Sequence, residues 1–258
     1  MMNSSSGKPV RKVIQQFFNQ EIDGQQLLRV FMAYEQWHIP ADFDSEGRLG
    51  FALSRYSEGD RWFQAFTDRD AVEAYEAAYG KGSLGEYFIT TAGWSAFAQI
   101  DETLDGVNIN PYTPLALHYR QPQIPLLKNW AKTVEVETAI AAPDKFSDPF
   151  GVMKHFAGYR IALFDSGGNV QIALAPDSQG RKLAAIFTAE DTLNAFLVYL
   201  KAAVPHRYAD VRTLLLDGSE LFSRLRALPL DGIVFNPKGA IPPRAFGSAL
   251  IRHILDAR

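Results

Sequence analysis

The chain has no cysteine, which excludes disulfide scaffolds, thiolate metal sites and cysteine nucleophiles. Its 14 prolines and 19 glycines among 258 residues are too few for a fibrous or low-complexity chain. Long apolar runs are missing too. Stretches such as 184–187 and 214–216 fall far below the roughly 20 residues that cross a bilayer, so no membrane association is expected. Residues 1–12 are polar and basic, but no apolar segment of signal-peptide length follows, so a soluble cytoplasmic protein is expected. Strong basicity is also absent. A pI of about 6.0 argues against nucleic-acid binding, which needs a basic face.

What is present is ample material for a core, 47% hydrophobic with 21% charged residues. The length suits one large domain or two small ones. Charge is unevenly spread along it. Residues 1–105 hold 9 Lys/Arg against 16 Asp/Glu, a balance of −7, and residues 106–258 carry the compensating +4. Within 41–76 four arginines face nine acids. Such a segment is either a solvated face or an acidic docking surface for a basic partner.

The strongest signal is internal repetition. Shifted by 121, residues 43–75 lie on 164–196 without a gap, with twelve of 33 positions identical. They include Phe43/Phe164, Asp44/Asp165, Ser45/Ser166, Phe66/Phe187, Thr67/Thr188 and Asp70/Asp191. At a shift of 126, Asp105-Gly106 and Asn110-Pro111 match Asp231-Gly232 and Asn236-Pro237. The chain is two copies of one unit.

Each copy is expected to open with a strand, 37–43 and 159–164, that ends at Phe-Asp-Ser-x-Gly. There Asp and Ser bond locally and Gly supplies a positive φ. Second strands follow at 49–54 and 170–175, and third strands at 62–66 and 183–187. Thr67 and Thr188 are expected to cap helices, with Asp70 and Asp191 bonding back. Ala71, Val72, Tyr75, Ala78 and Tyr79 form an apolar helical stripe, repeated by Leu193, Phe196, Leu197 and Leu200. Strands are expected at 87–90 and 211–216, and short helices at 93–103 and 218–228. Final strands at 107–109 and 233–235 stop at Asn-Pro.

The expected fold class is therefore α+β: two pseudo-repeated antiparallel or mixed sheets with helices over one face. Helices at 10–19 and 24–37 would precede them as an N-terminal hairpin. The expected organisation is 1–36 helical, 37–111 first repeat, 112–147 linker with a strand at 134–138, and 148–258 second repeat.

The Phe-Thr segments 66–74 and 187–195, with the two Asp-Gly strands that exit through Asn-Pro, resemble the SseB-like family, named for enhanced serine sensitivity. The likeness covers about 170 of the 258 residues as two tandem units. It implies an α+β module without enzymatic chemistry, found among interaction proteins. These include immunity proteins made beside secreted antibacterial toxins, as in type VI secretion. The N-terminal helices and the central segment lie outside it.

Motifs for chemistry fail on context. Gly80-Lys81-Gly82-Ser83-Leu84-Gly85 fits G-x-G-x-x-G, yet it follows an expected helix and precedes an expected strand, the reverse of a dinucleotide site. Asp165-Ser166-Gly167-Gly168 is similar to a serine-protease nucleophile segment but has no histidine partner, and turn chemistry explains both copies. His38, His118, His155, His206 and His253 show no metal-ligand spacing. No cofactor, metal or catalytic residue is expected.

Residues shared by the copies maintain shape, so function belongs where the copies differ. Residues 55–63 bring Tyr56, Asp60, Arg61 and Trp62 where the second copy has Asp177, Arg181, Lys182 and Leu183. Aromatic residues and arginine are enriched at interface centres. With Asp68, Glu73 and Glu76 on the next helix they are expected to form a protein-binding face, unless Trp62 simply packs in the core. Two functions follow. One is a non-enzymatic immunity protein that binds a basic toxin, such as a nuclease. The other is an enzyme or small-molecule binder with its ligand in a cleft between the repeats. A chaperone-like role in secretion makes the same demands as the first.

Overall fold

A computed structural model describes residues 8–57, 59–85, 87–166, 169–175, 179–203, 211–238 and 242–257. Apolar residues three and four apart form the first two helices, α1 (Lys8–Phe18) and α2 (Gly24–Ala33). Val10 and Ile14 of α1 and Leu27, Leu28, Phe31 and Met32 of α2 are buried in one cluster, the expected hairpin. Asp23 caps α2. Its carboxylate accepts from Gln26 N at 2.8 Å, and the Gln26 side chain accepts from Asp23 N at 3.1 Å.

Next come β1 (Trp37–Phe43), β2 (Leu49–Phe51), β3 (Leu53–Ser54), β4 (Trp62–Ala65) and α3 (Arg69–Tyr79). They are followed by β5 (Tyr87–Thr91), α4 (Gly93–Ala98), β6 (Gly106–Ile109), β7 (Leu117–Arg120) and α5 (Ile124–Ala141). The strands build two sheets, β2-β1-β5 and β3-β4-β6-β7. All pairings are antiparallel except β4 with β6, so the second sheet is mixed.

The rest of the chain repeats this order with α6 (Pro149–His155), β8 (Tyr159–Ser166), β9 (Asn169–Ile172), β10 (Leu174–Ala175) and β11 (Leu183–Ile186). It ends with α7 (Glu190–Ala203), β12 (Val211–Leu216), α8 (Gly218–Arg226), β13 (Gly232–Phe235), β14 (Arg244–Gly247) and α9 (Ala249–Asp256). Its sheets are β12-β8-β9 and β10-β11-β13-β14, again with one parallel pair, β11 with β13. The fold is α+β with repeated sheet units. No helix among the described residues is long and apolar enough to cross a membrane.

Alternation along the strands explains the layering. In the first unit Phe63, Ala65, Val107 and Ile109 point into a core shared with α1, α2, α4 and the start of α5. Phe66 lies instead in a smaller cluster with Ala71, Val72 and Tyr75 of α3. The second unit does the same, with Ala184, Ile186, Ile233 and Phe235 on one side and Leu183, Ala185, Phe187 and Val234 beneath α7 on the other. Helices therefore cover both faces of each four-stranded sheet, not one. In β11 and β13 every position is apolar or glycine, the pattern of strands covered on both faces.

The chain divides into two units, residues 1–134 and 135–258. The division falls inside α5, which replaces the expected linker and the expected strand at 134–138. Val134, Val136 and Thr138 alternate like a strand, but Ile124, Leu127, Ala131 and Val134 recur at helical spacing and are all buried. Pro125 sits in the first turn, where a missing N–H costs nothing. The Asn-Pro exits likewise do not end the sheets. Asn110 (φ 47°) and Asn236 (φ 49°) turn the chain, and β7 and β14 then pair antiparallel with β6 and β13.

Three further expectations change. Each expected second strand bends at Ala52 or Ala173 and passes from one sheet to the other; Ala52 N donates to Pro40 O at 2.9 Å, and Ala173 N to Ala162 O at 2.8 Å. The threonines are not caps. Asp68 caps α3, accepting from Ala71 N at 3.0 Å, while Thr67 N and Thr188 N donate to Asn110 Oδ1 and Asn236 Oδ1 at 2.9 and 3.0 Å. Finally, the gapless shift slips in the first strand. Phe43 pairs with Leu49 and Asp165 with Val170, so Phe43 corresponds to Asp165, not to Phe164. One residue fewer in the second hairpin moves every β8 side chain by one place. Asp44 does close its bend as expected, accepting from Glu46 N and Arg48 N at 2.9 Å each, with Gly47 at φ 74°. Gly167, Gly168, Pro176 to Ser178 and His206 lie outside the described residues.

Candidate functional site

The two copies serve as controls for each other. Two pairs of polar residues that both copies carry hold the fold. Asn110 and Asn236 also donate to Thr67 Oγ1 and Thr188 Oγ1, at 3.0 and 2.9 Å. Asp105 and Asp231 accept from Arg61 N and Lys182 N at 2.8 and 2.7 Å. The loop 80–85 joins α3 to β5, so its glycines follow a helix and open no helix of their own.

The copies part company on the α3 side of the sheet β3-β4-β6-β7. Gln64, Asn108 and His118 stand side by side across β4, β6 and β7, and Ser54 lies on β3. The same row in the second unit is Ala185, Val234 and Ala245, with Ala175 on its edge strand. One backbone design thus carries an apolar floor in one unit and a polar floor in the other. Burying polar groups costs free energy unless they are bonded, so the sheet itself does not call for them.

Tyrosines roof this floor. The Tyr56 hydroxyl accepts from Gln64 Nε2 at 3.2 Å and from Asn108 Nδ2 at 3.0 Å. Asn108 Oδ1 is bonded to His118 Nδ1 at 2.6 Å, and Ser54 Oγ to the Tyr75 hydroxyl at 3.2 Å. Tyr75 and Tyr79, one turn apart on α3, stack at 4.9 Å; Tyr112, from the Asn-Pro turn, meets Tyr79 edge-on at 5.0 Å. The Tyr79 and Tyr112 hydroxyls are bonded to each other. Tyr56 closes the group, 5.9 Å from Trp62 and 6.2 Å from Tyr79. Burial pushes the Tyr56 phenol up to about 12, reinforced by neighbouring Tyr75 and opposed by the two amide donors. Tyr56, Tyr79 and Tyr112 remain 38%, 47% and 50% exposed. Two buried atoms here have no partner, Gln64 Oε1 and Trp62 Nε1.

The expected site residues separate against this frame. Tyr56 is at its centre. Trp62 is half-buried and lies on Gly106, where an added Cβ would come within 2.3 Å of Trp62 Cζ3 and 2.4 Å of Tyr119 O. Trp62 therefore packs the fold as well as flanking the tyrosines, and its loss would lower stability. Arg61 is tied to Thr103 O and Oγ1 at 3.1 and 2.8 Å. Asp60 accepts from Ser57 Oγ at 2.5 Å. Asp68 leaves the face, being buried as the α3 cap and clasped by Arg11, whose Nε lies 2.6 Å away. Glu73 is open to solvent and Glu76 is mostly covered; Arg69 lies 3.5 and 3.7 Å from them. The sequence reading missed Ser54, Gln64, Tyr75, Tyr79, Asn108, Tyr112 and His118 as a group. Comparing the copies over every strand, and not only at the loop before β4, carried the signal.

No family model matches the chain, and no curated protein does. Among solved structures, Anabaena Tic22, described as protein transport, is similar over 81% of this chain and 88% of its own, at 9% identity and a TM-score of 0.22. A likeness that loose supports no statement about fold or function.

Proposed function

We propose that this chain is a non-enzymatic protein-binding module, most concretely a cytoplasmic immunity protein that neutralises a secreted antibacterial toxin by stoichiometric association. The observation that carries the reading is the exposed tyrosine cluster of the first unit, set on a polar floor that the second unit builds without polar groups. Large, stiff rings with polar tips give contact area at little entropic cost, which is why tyrosine is enriched at interface centres. Nine acids against four arginines over residues 41–76 suit a basic partner, such as a nuclease. The SseB-like resemblance of the repeats supports the same reading.

The test is co-expression with the toxin encoded beside it, followed by co-purification. A one-to-one complex and rescued growth are expected. Glu73→Lys should abolish or strongly weaken capture while moving the melting temperature little, because it disturbs one exposed i,i+4 pair worth about 0.5 kcal/mol. No rescue and no complex refutes the proposal.

A further inference from the structure

The second unit lays a cation over a ring within its own chain. Lys238 Nζ lies 4.5 Å from the centroid of the Tyr199 ring, with Lys238 following Asn236-Pro237 and Tyr199 on α7. Lys238 occupies its turn with φ 65°, and Tyr112 occupies the matching turn after Asn110-Pro111 with φ 64°. One turn, in one backbone conformation, delivers a cation to the helix in one unit and a ring in the other. In the first unit the helix answers with further rings, Tyr75 and Tyr79. Tyr56, Tyr79 and Tyr112 remain partly exposed, and the cation–π contacts among the described residues are Lys238 with Tyr199 and Arg29 with Trp130.

Two further observations point to a guest. Gln64 is wholly buried, holds its amide nitrogen 3.2 Å from the Tyr56 hydroxyl, and leaves its own oxygen without a donor. Glu76 lies one turn before Tyr79, largely covered, beside exposed Glu73, and Arg69, 3.5 and 3.7 Å from them, offers one guanidinium to the two carboxylates. Rings, one unpaired acceptor and carboxylates together match a planar cation with several donors.

We infer that the Tyr56–Tyr79–Tyr112 cluster receives an arginine side chain of the protein partner, its guanidinium on the tyrosine faces and within the field of Glu73 and Glu76. This rests on the protein-binding function proposed above and names the group that is bound. Lys238 on Tyr199 is the self-filled counterpart; the first unit keeps the seat for another chain.

The probe is the capped tripeptide acetyl-Gly-Arg-Gly-amide, with its citrulline analogue as a neutral isostere, titrated into the full chain carrying 13C-labelled tyrosine. Saturable shifts of the Tyr56, Tyr79 and Tyr112 ring signals are expected, with citrulline binding about tenfold more weakly. The Tyr79→Phe/Tyr112→Phe variant should keep the preference, because the π faces remain, and Tyr79→Leu/Tyr112→Leu should lose it. Equal binding of citrulline, tighter binding of the lysine tripeptide, or an unchanged preference in the leucine variant would overturn the inference. The citrulline comparison uses the unaltered protein and stands even if the leucine variant fails to fold. Partner capture that survives in the leucine variant defeats the arginine seat alone, whereas arginine binding with no captured protein defeats the proposed function alone.

Discussion

Replacing Asn110 by Ala tests whether the residues common to both copies are scaffold. Asn110 is 1% exposed, accepts from Thr67 N at 2.9 Å and donates to Thr67 Oγ1 at 3.0 Å. Alanine would leave the Thr67 N–H buried and unpaired, at a cost of about 1–3 kcal/mol. It would also have to hold φ at 47°, where a Cβ without a compensating side-chain bond costs about 1 kcal/mol more. The expected loss is roughly 3 kcal/mol, a fall of about 1.5 M in the urea midpoint for a slope near 2 kcal/mol/M. Asn110→Gly removes the bonds but relieves the backbone, so it should cost about 1 kcal/mol less. The assay is favourable because all four tryptophans, 37, 62, 94 and 130, lie in the first unit. Their fluorescence therefore follows that unit, and far-UV circular dichroism follows the whole chain. Asn236→Ala should show a loss of the same size by circular dichroism. A loss below about 1 kcal/mol for either alanine would refute the view that the Thr–Asn pairs hold the sheets.

Two more outcomes follow from packing and charge. Gly106→Ala drives a methyl into the Trp62 ring and the Tyr119 carbonyl, so it should cost about 1–3 kcal/mol and alter the tryptophan emission; an unperturbed spectrum with full stability would contradict the close approach. Burial, partly offset by Asp68, lowers the His38 pKa from its ordinary 6.5. Between that lowered value and 6.5 the unfolded chain binds more protons than the folded one, so stability should drop as pH falls through 6.5 and level off once folded His38 is protonated. His38→Asn should flatten that part of a urea-unfolding pH series, and an unchanged slope would count against the assignment.

Much of the fold was legible because its signals are local. Strands 37–43 and 211–216 begin and end where alternation and flanking residues place them, the helix at 69–79 matches its apolar stripe, and the short helix expected at 218–228 spans 218–226. What escaped depends on partners far along the chain. Thr67 looks like a cap until Asn110, 43 residues away, takes its N–H and leaves Asp68 to cap the helix. Identity at Phe43/Phe164 suggested one register, and pairing with β2 and β9 chose the next. Of the expected site, Tyr56 and Trp62 were visible as departures from the second copy. Gln64, Asn108 and His118 come from three strands and become one row only when the sheet forms.

Helix α5 carries a consequence for dissecting the molecule. Its first half follows β7 as α9 follows β14, and its second half precedes α6 as α1 precedes α2. One continuous rod of backbone has inherited both the closing helix of the leading copy and the opening helix of the trailing one. A cut ahead of Val134 therefore strips wall residues among Ile124, Leu127, Ala131 and Val134 from the first interior, and a cut beyond Val136 strips them among Val136, Ala139 and Ile140 from the second. A cut at 134/135 spares both sets but breaks the helix that carries them. Fragments meant to behave as autonomous halves should each include all of residues 124–141, so the same helix has to be supplied twice.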